Sequence, residues 1–278
     1  QFYFIFAIFI FIAYKLNRYS NYGNDAPAHF LLYFLIFKLL NLNKKIQLNN
    51  ITENFLLSVF IFMNKITLSI AILAPMFYLK KDIFKKILTS KKIYFTIFFL
   101  FLWIFKNIIT SGCIIYPLVQ TCYEKLSWSD VDTVKYISKE NEAWAKNWPD
   151  SKLNFKHKEY AKNFVWLDDW KKNYLPRFSK IIIPYFIFLT ILIIILFIFS
   201  KRKKEKIAIK IYGILGLLSI SIILWFLKFP ILRYGQSLII SFFAISFAML
   251  SLQFHLTKII KKTFITFIVL GIFVIFTK

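Results

Sequence analysis

The segment "YSNYGNDAPAHF", residues 19–30, sets an acid and a histidine four positions apart between two apolar stretches. Asp25 and His29, at i and i+4, share one face of any helix that carries both. A carboxylate there can deprotonate an acceptor or hold a metal, and an imidazole can shuttle a proton or ligate the same ion. An acid at the edge of a membrane span is expensive to keep dry, so it pairs or does chemistry. Asn24-Asp25-Ala26-Pro27 is equally good helix-start sequence, with Asp25 as the cap, and an interfacial histidine can be hydrogen-bonded and nothing more. Arg233, in "KFPILRYGQ", offers a planar fork that matches a phosphate bidentately. Arg18, Lys65 and Arg177 can join it in an anion site, or can lie along the headgroup region with their stems buried.

Cys113 and Cys122 are the only cysteines, in "SGCIIYPLVQTCY", with Pro117 between them as a natural bend. In an oxidising compartment they pair and stabilise a small loop by ~3 kcal/mol at best. The other reading is two buried thiols. The absence of a CxxC spacing and of a nearby histidine argues against zinc. Asp168 and Asp169 lie between Trp166 and Trp170, where they can bind a metal or sugar hydroxyls, or line a solvated helix face.

The elements that must position these residues follow from composition. Of 278 residues, 59% are hydrophobic and 21% aromatic, and the mean hydropathy is +0.62. The uncharged runs Ile181–Phe199 and Gly235–Phe254 approach the about 20 residues that a helix needs to cross a bilayer. A soluble domain cannot hide several such runs. The expected fold class is all-α, a polytopic membrane helix bundle with one helical extracytoplasmic loop. Nine candidate transmembrane helices are read at 1–14, 29–42, 52–63, 66–79, 93–109, 181–200, 207–227, 235–254 and 263–277. The chain divides into N-terminal spans (1–109), the loop (110–178) and C-terminal spans (179–278). Gln1 stands inside an apolar run with no initiator Met, so the chain reads as a fragment of a longer protein.

The net charge of +24 suggests nucleic acid, but its distribution argues against it. Residues 110–178 carry 11 basic and 9 acidic side chains, leaving 26 basic and 4 acidic elsewhere. Those basics cluster in short loops between spans, as the positive-inside rule requires. Residues 80–92, 201–206, 258–262 and 44–45 are therefore expected in the cytoplasm, and the abundance of Ile, Phe, Lys and Asn fits an AT-rich genome. Residues 15–28, the tip at 63–65, the long loop and 228–234 then face the opposite side. The decisive step is residues 52–79. As one span they would bury Lys65 near mid-membrane at about 2.5–3.5 kcal/mol, whereas a hairpin places it at a surface turn. The hairpin is the preferred reading.

The outer loop is too long for a plain connector. Ser129 or Asp130 can cap a polar helix that ends before Pro149. A second amphipathic helix is expected from Ser151 to Pro176, with Phe155, Tyr160, Phe164, Leu167 and Trp170 near one face. Those aromatics either pack at the interface or form a surface over a substrate.

"YGNDAPAHFLLYFLIFKLL" resembles a stretch of the GT-C glycosyltransferases, the polyprenyl-phosphate-sugar enzymes related to protein mannosyltransferases and aminoarabinose transferases. There a short outer segment ends in an acid followed by a proline and opens an apolar span; Asp25 and Pro27 match. "FLLSVFIFMNKITLSIAILAPMFYLKKDIFKK" is similar to that family's next hairpin, with Lys65 at the tip, Asn64 for the usual Thr, and Pro75 in the second span. The likeness covers about residues 20–110 in pattern and is weak beyond. It implies that the family's main acidic loop precedes Gln1 and that Asp25 is the secondary acid. It further implies an enzyme of a bacterial inner membrane, working on the periplasmic face. The enzyme would move a sugar from a polyprenyl-phosphate carrier to a glycan or lipid acceptor, with no nucleic acid partner. Asp25 and His29 would be catalytic, Arg233, Arg18 and Lys65 would bind the phosphate, and a divalent metal is an open question. Two rival classes remain. An O-antigen polymerase or ligase would depend on Arg and His rather than on an acid. A transporter, flippase or non-catalytic membrane protein would tolerate Asp25→Asn.

Overall fold

The structure, a computed structural model, describes residues 1–15, 25–41, 48–79, 81–151, 156–162, 164–255 and 257–277. Among these residues the architecture is all helical. The apolar helices are α1 (Phe2–Lys15), α2 (Asp25–Asn41), α3 (Leu48–Asn64), a 3-10 helix (Ile66–Tyr78), α5 (Lys91–Ser111), α8 (Leu167–Phe199), α9 (Ile209–Lys228), α10 (Leu232–Ser251) and α11 (Lys258–Thr277). Polar α4 (Lys81–Leu88), α6 (Val131–Ala145) and α7 (His157–Tyr160) complete the set. Against the nine spans expected, four helices among the described residues are long and apolar enough to cross a membrane, α5, α8, α9 and α10, and α1 and the 3-10 helix are shorter apolar helices. Arg18, Lys44, Lys45 and Phe155, to which the sequence assigns roles, lie outside the described residues.

α10 is the hub, packing against α1, α2, α8 and α9. Ser237, Ser241, Ala244, Ala248 and Ser251 recur at spacings of three and four along it and are buried. Small side chains in that register let neighbouring helix backbones approach closely. At Gly235 even a Cβ would sit 2.5 Å from the Trp225 ring. α5 shows the opposite pattern: Phe95, Phe98, Phe101, Phe105 and Ile109 all face outward. A one-sided apolar surface of this size suits lipid and not water.

α3 and the 3-10 helix pack along one another as a hairpin that turns at Lys65, whose backbone is extended. The chain therefore returns at residue 65, and Lys65 sits at a bundle end, not mid-span.

Two sequence expectations fail between α5 and α9. Residues 151–178 do not make one amphipathic helix: short α7 ends at Tyr160, Phe164 takes a left-handed conformation, and α8 starts at Leu167. Nor does Pro176 stop a helix, because α8 runs 33 residues through Pro176 and Pro184. A proline leaves the carbonyl four residues back without its helical donor. For Pro176 that carbonyl is Lys172, on an exposed face. For Pro184 it is Lys180, which accepts the Tyr14 hydroxyl at 3.0 Å. α8 is about 50 Å long at 1.5 Å per residue, well beyond a ~30 Å hydrocarbon core. Its polar first turns form a post for the loop, and the division expected at residue 178 falls inside it.

The loop docks on that post. Asp130 caps α6 by accepting the Thr133 N–H at 2.9 Å, and Gly112 ends α5 in a left-handed turn that lies against Ser129. Cys113 and Cys122 are disulfide-bonded. Tyr160, Trp166 and Trp170 bury their rings in a small core of their own. Those three aromatics pack, whereas Phe164 is exposed.

Candidate functional site

Two helix starts and a hairpin turn bring charges together at one end of the bundle. Asp25 opens α2, Lys65 occupies the hairpin turn and Arg233 lies in the first turn of α10. Lys65 Nζ donates to Asp25 Oδ1 at 2.5 Å, and Arg233 Nε donates to Asp25 Oδ2. One carboxylate thus carries two cations. Burial alone would raise the Asp25 carboxyl, but the hydrogen bonds and charges of Lys65 and Arg233 outweigh it and hold it below the usual carboxylate range. Burial pulls the Lys65 ammonium below its usual range despite Asp25 beside it. Both groups lie outside the spans read at 29–42, 52–63 and 66–79. Exposure separates the partners: the side chains of Lys65 and Asp25 are 7% and 15% exposed, that of Arg233 50%.

His29 lies one turn into α2 and is fully buried. Its Nε2–H donates to the Arg233 carbonyl at 2.8 Å, so in the neutral ring Nδ1 accepts the Ser237 hydroxyl at 2.6 Å. A carbonyl can only accept, which fixes that tautomer. With both nitrogens held by protein, His29 ties α2 to the start of α10 at Ser237 and Arg233. Lys65 Nζ also reaches the Arg233 carbonyl, at 3.5 Å, and lies 4.6 Å from the centre of the Tyr234 ring.

The turn into α10 is held from outside as well. Trp170 of α8 donates its indole N–H to the Pro230 carbonyl at 2.8 Å, and Trp225 of α9 donates to Ile231 at 2.9 Å. The entry to α10 is thereby held by α2 at Arg233, by α8 at Pro230 and by α9 at Ile231. Beside Lys65 a cavity of about 330 Å³ opens under the loop, lined by Ile66, Thr67, Pro117, Asn141, Trp144 and Tyr234. It is within the size range of small-molecule sites, about 300–1,000 Å³.

Asp25, His29, Lys65 and Arg233 therefore converge, while Cys113 and Cys122 brace the loop. Asp169 is a packing residue that accepts hydrogen bonds from Tyr160 and Ser151, and Asp168 is solvated. Among the described residues no three His, Cys, Asp or Glu side chains cluster to hold a metal ion.

Two networks escaped the sequence reading. In the loop, Glu142 accepts Lys146 at 2.8 Å and is approached by Lys228 of α9 at 3.4 Å. The i,i+4 spacing of Glu142 and Lys146 was the available signal. Burial would raise the Glu142 carboxyl, but Lys146, and more weakly Lys228 and Lys139, bring it below its usual range. At the opposite end of α2 and α3, Lys38 and Lys92 both bind Glu53, at 2.8 and 2.6 Å. No local spacing announces that cluster.

Residues 1–240 match the family described as a domain of unknown function, DUF8201. The chain belongs to that family. No curated protein and no solved structure matches it.

Proposed function

We propose that this DUF8201 chain is an integral membrane glycosyltransferase of the GT-C type, with nine spans in a bacterial inner membrane. It moves a sugar from a polyprenyl-phosphate carrier to a glycan or lipid acceptor on the periplasmic face. The observation that carries the reading is the convergence of Asp25, Lys65 and Arg233, whose chain neighbours Ile66 and Tyr234 line the cavity under the loop. A half-exposed guanidinium and a buried ammonium suit the phosphate of a lipid carrier, and Trp144 and Tyr234 offer aromatic faces to a sugar.

The chemistry follows from charge. An incoming phosphate competes with Asp25 for Arg233. As that partner turns to the phosphate, the Asp25 carboxylate regains basicity. The acceptor hydroxyl attacks the anomeric carbon, the carbon–oxygen bond to phosphate breaks, and the phosphate leaves with the electron pair. The hydroxyl proton passes to Asp25, and Lys65 and Arg233 neutralise the departing charge. His29 and Ser237 keep the α10 entry in place during the exchange.

The test is transfer of labelled sugar from undecaprenyl-phosphate donors in membranes holding the full chain, alongside binding of undecaprenyl phosphate itself. Asp25→Asn should retain phosphate binding and lower transfer by about 100-fold or more, the scale of a lost general base. Arg233→Ala should weaken phosphate binding. Wild-type transfer that survives both substitutions unchanged contradicts the reading and leaves the triad as a structural clamp.

A further inference from the structure

A second cavity lies away from the Asp25 site. It is a groove of about 430 Å³ between α2, α3 and α5, lined by Phe34, Leu56, Phe60, Met63, Phe95 and Phe99, and it ends at Lys38 and Glu53. Lys92 joins that end through Glu53. The groove is thus apolar along its length and cationic at one end, since two ammonium groups share a single carboxylate. Along α3 it runs from Glu53 to Met63, ten residues and about 15 Å of helix rise. That is half of a ~30 Å hydrocarbon core, the depth of one leaflet.

The neighbouring α4 marks the same side as a membrane surface. Its Phe84 and Leu88 are exposed beside exposed Lys85 and Lys86, while Ile87 packs inward. A short helix with apolar and basic faces of this kind lies in the headgroup region and favours anionic lipid.

We infer that this groove is a site for one anionic glycerophospholipid of the leaflet on the α4 side. An acyl chain lies against Phe34, Phe60 and Phe95, and the phosphate lies at Lys38 and Lys92. Charge complementarity selects the occupant. A neutral lipid fills the groove but leaves the excess positive charge unmatched. The site is independent of the glycosyltransferase reading, and it lies at the opposite end of α2 and α3 from Asp25.

The full chain, purified from vesicles of equal phosphatidylglycerol and phosphatidylcholine, tests this by native mass spectrometry of the retained lipid. Wild type should keep one phosphatidylglycerol in preference to phosphatidylcholine. Lys38→Gln with Lys92→Gln should reduce that preference by about fivefold per lysine, the scale of one basic residue at an anionic surface. Val59→Trp, which fills the groove and leaves the charges in place, should reduce retention of both lipids. Equal retention of the two lipids by wild type, or unchanged retention in the groove-filling variant with its melting temperature preserved, would overturn the assignment.

Discussion

Asp25 uses both carboxylate oxygens on cations, so each partner's loss has a distinct consequence. Asp25→Ala strands the Lys65 ammonium, 7% exposed, without its counter-ion. Stranding a buried charge costs about 3–5 kcal/mol, and Asp25→Asn, which keeps an acceptor oxygen, should cost less in detergent unfolding. The pH dependence has a definite sign. Because the folded carboxyl sits below its ordinary value, the unfolded chain takes up the proton first. The stabilisation is full above ordinary carboxylate values and is lost as pH falls through the lowered folded value. Wild type should therefore lose stability on acidification below about pH 5 more steeply than Asp25→Asn. Glu142 carries the same sign, so some acid sensitivity should persist in that variant. At Gly235 the limit is steric. The Trp225 ring stands where a side chain would go, and Gly235→Val should destabilise by about 1–3 kcal/mol, the usual scale of overpacking, while displacing Arg233 two residues before it.

At the scale of elements, the disulfide and the α8 post hold the loop between α5 and α8. Cys113→Ser with Cys122→Ser should loosen the loop by ~3 kcal/mol at most, read as faster tryptic cleavage of residues 110–166 with the helices intact. The all-helical architecture and its long apolar helices were legible because uninterrupted apolar runs leave little choice but helix, and Lys65 marked the hairpin because a mid-membrane lysine is costly. Asp25, Lys65 and Arg233 were each legible as polar residues at a span edge. Their meeting was not, since residues 25, 65 and 233 are joined only by helix packing. Pro176 misled because helix breaking depends on who satisfies the freed carbonyl, and an exposed face supplies that partner invisibly to the sequence. The amphipathic helix expected over 151–176 failed because Tyr160, Trp166 and Trp170 pack into one small core through a turn at Phe164, not along one helical face. The Lys38–Glu53–Lys92 cluster joins α2, α3 and α5 without any spacing that could announce it.

For the whole molecule, the account rests on a division between two ends. The hairpin tip, the start of α10, the Asp25 triad and the long loop share one end. α4 and the Lys38–Glu53–Lys92 cluster lie at the other. If the first end faces the periplasm, the triad meets lipid-linked donors there and the basic end meets the cytoplasmic leaflet. The most direct measurement is the sidedness of two single cysteines in a Cys113→Ser, Cys122→Ser background. One is Asn64→Cys at the exposed hairpin tip beside Lys65, and the other is Thr89→Cys, exposed after α4. Intact cells are treated with a membrane-impermeant maleimide before and after the membrane is opened. The account predicts labelling at residue 64 from outside and at residue 89 only after opening. Labelling of residue 64 only in opened cells, or of both positions from the same side, would contradict it.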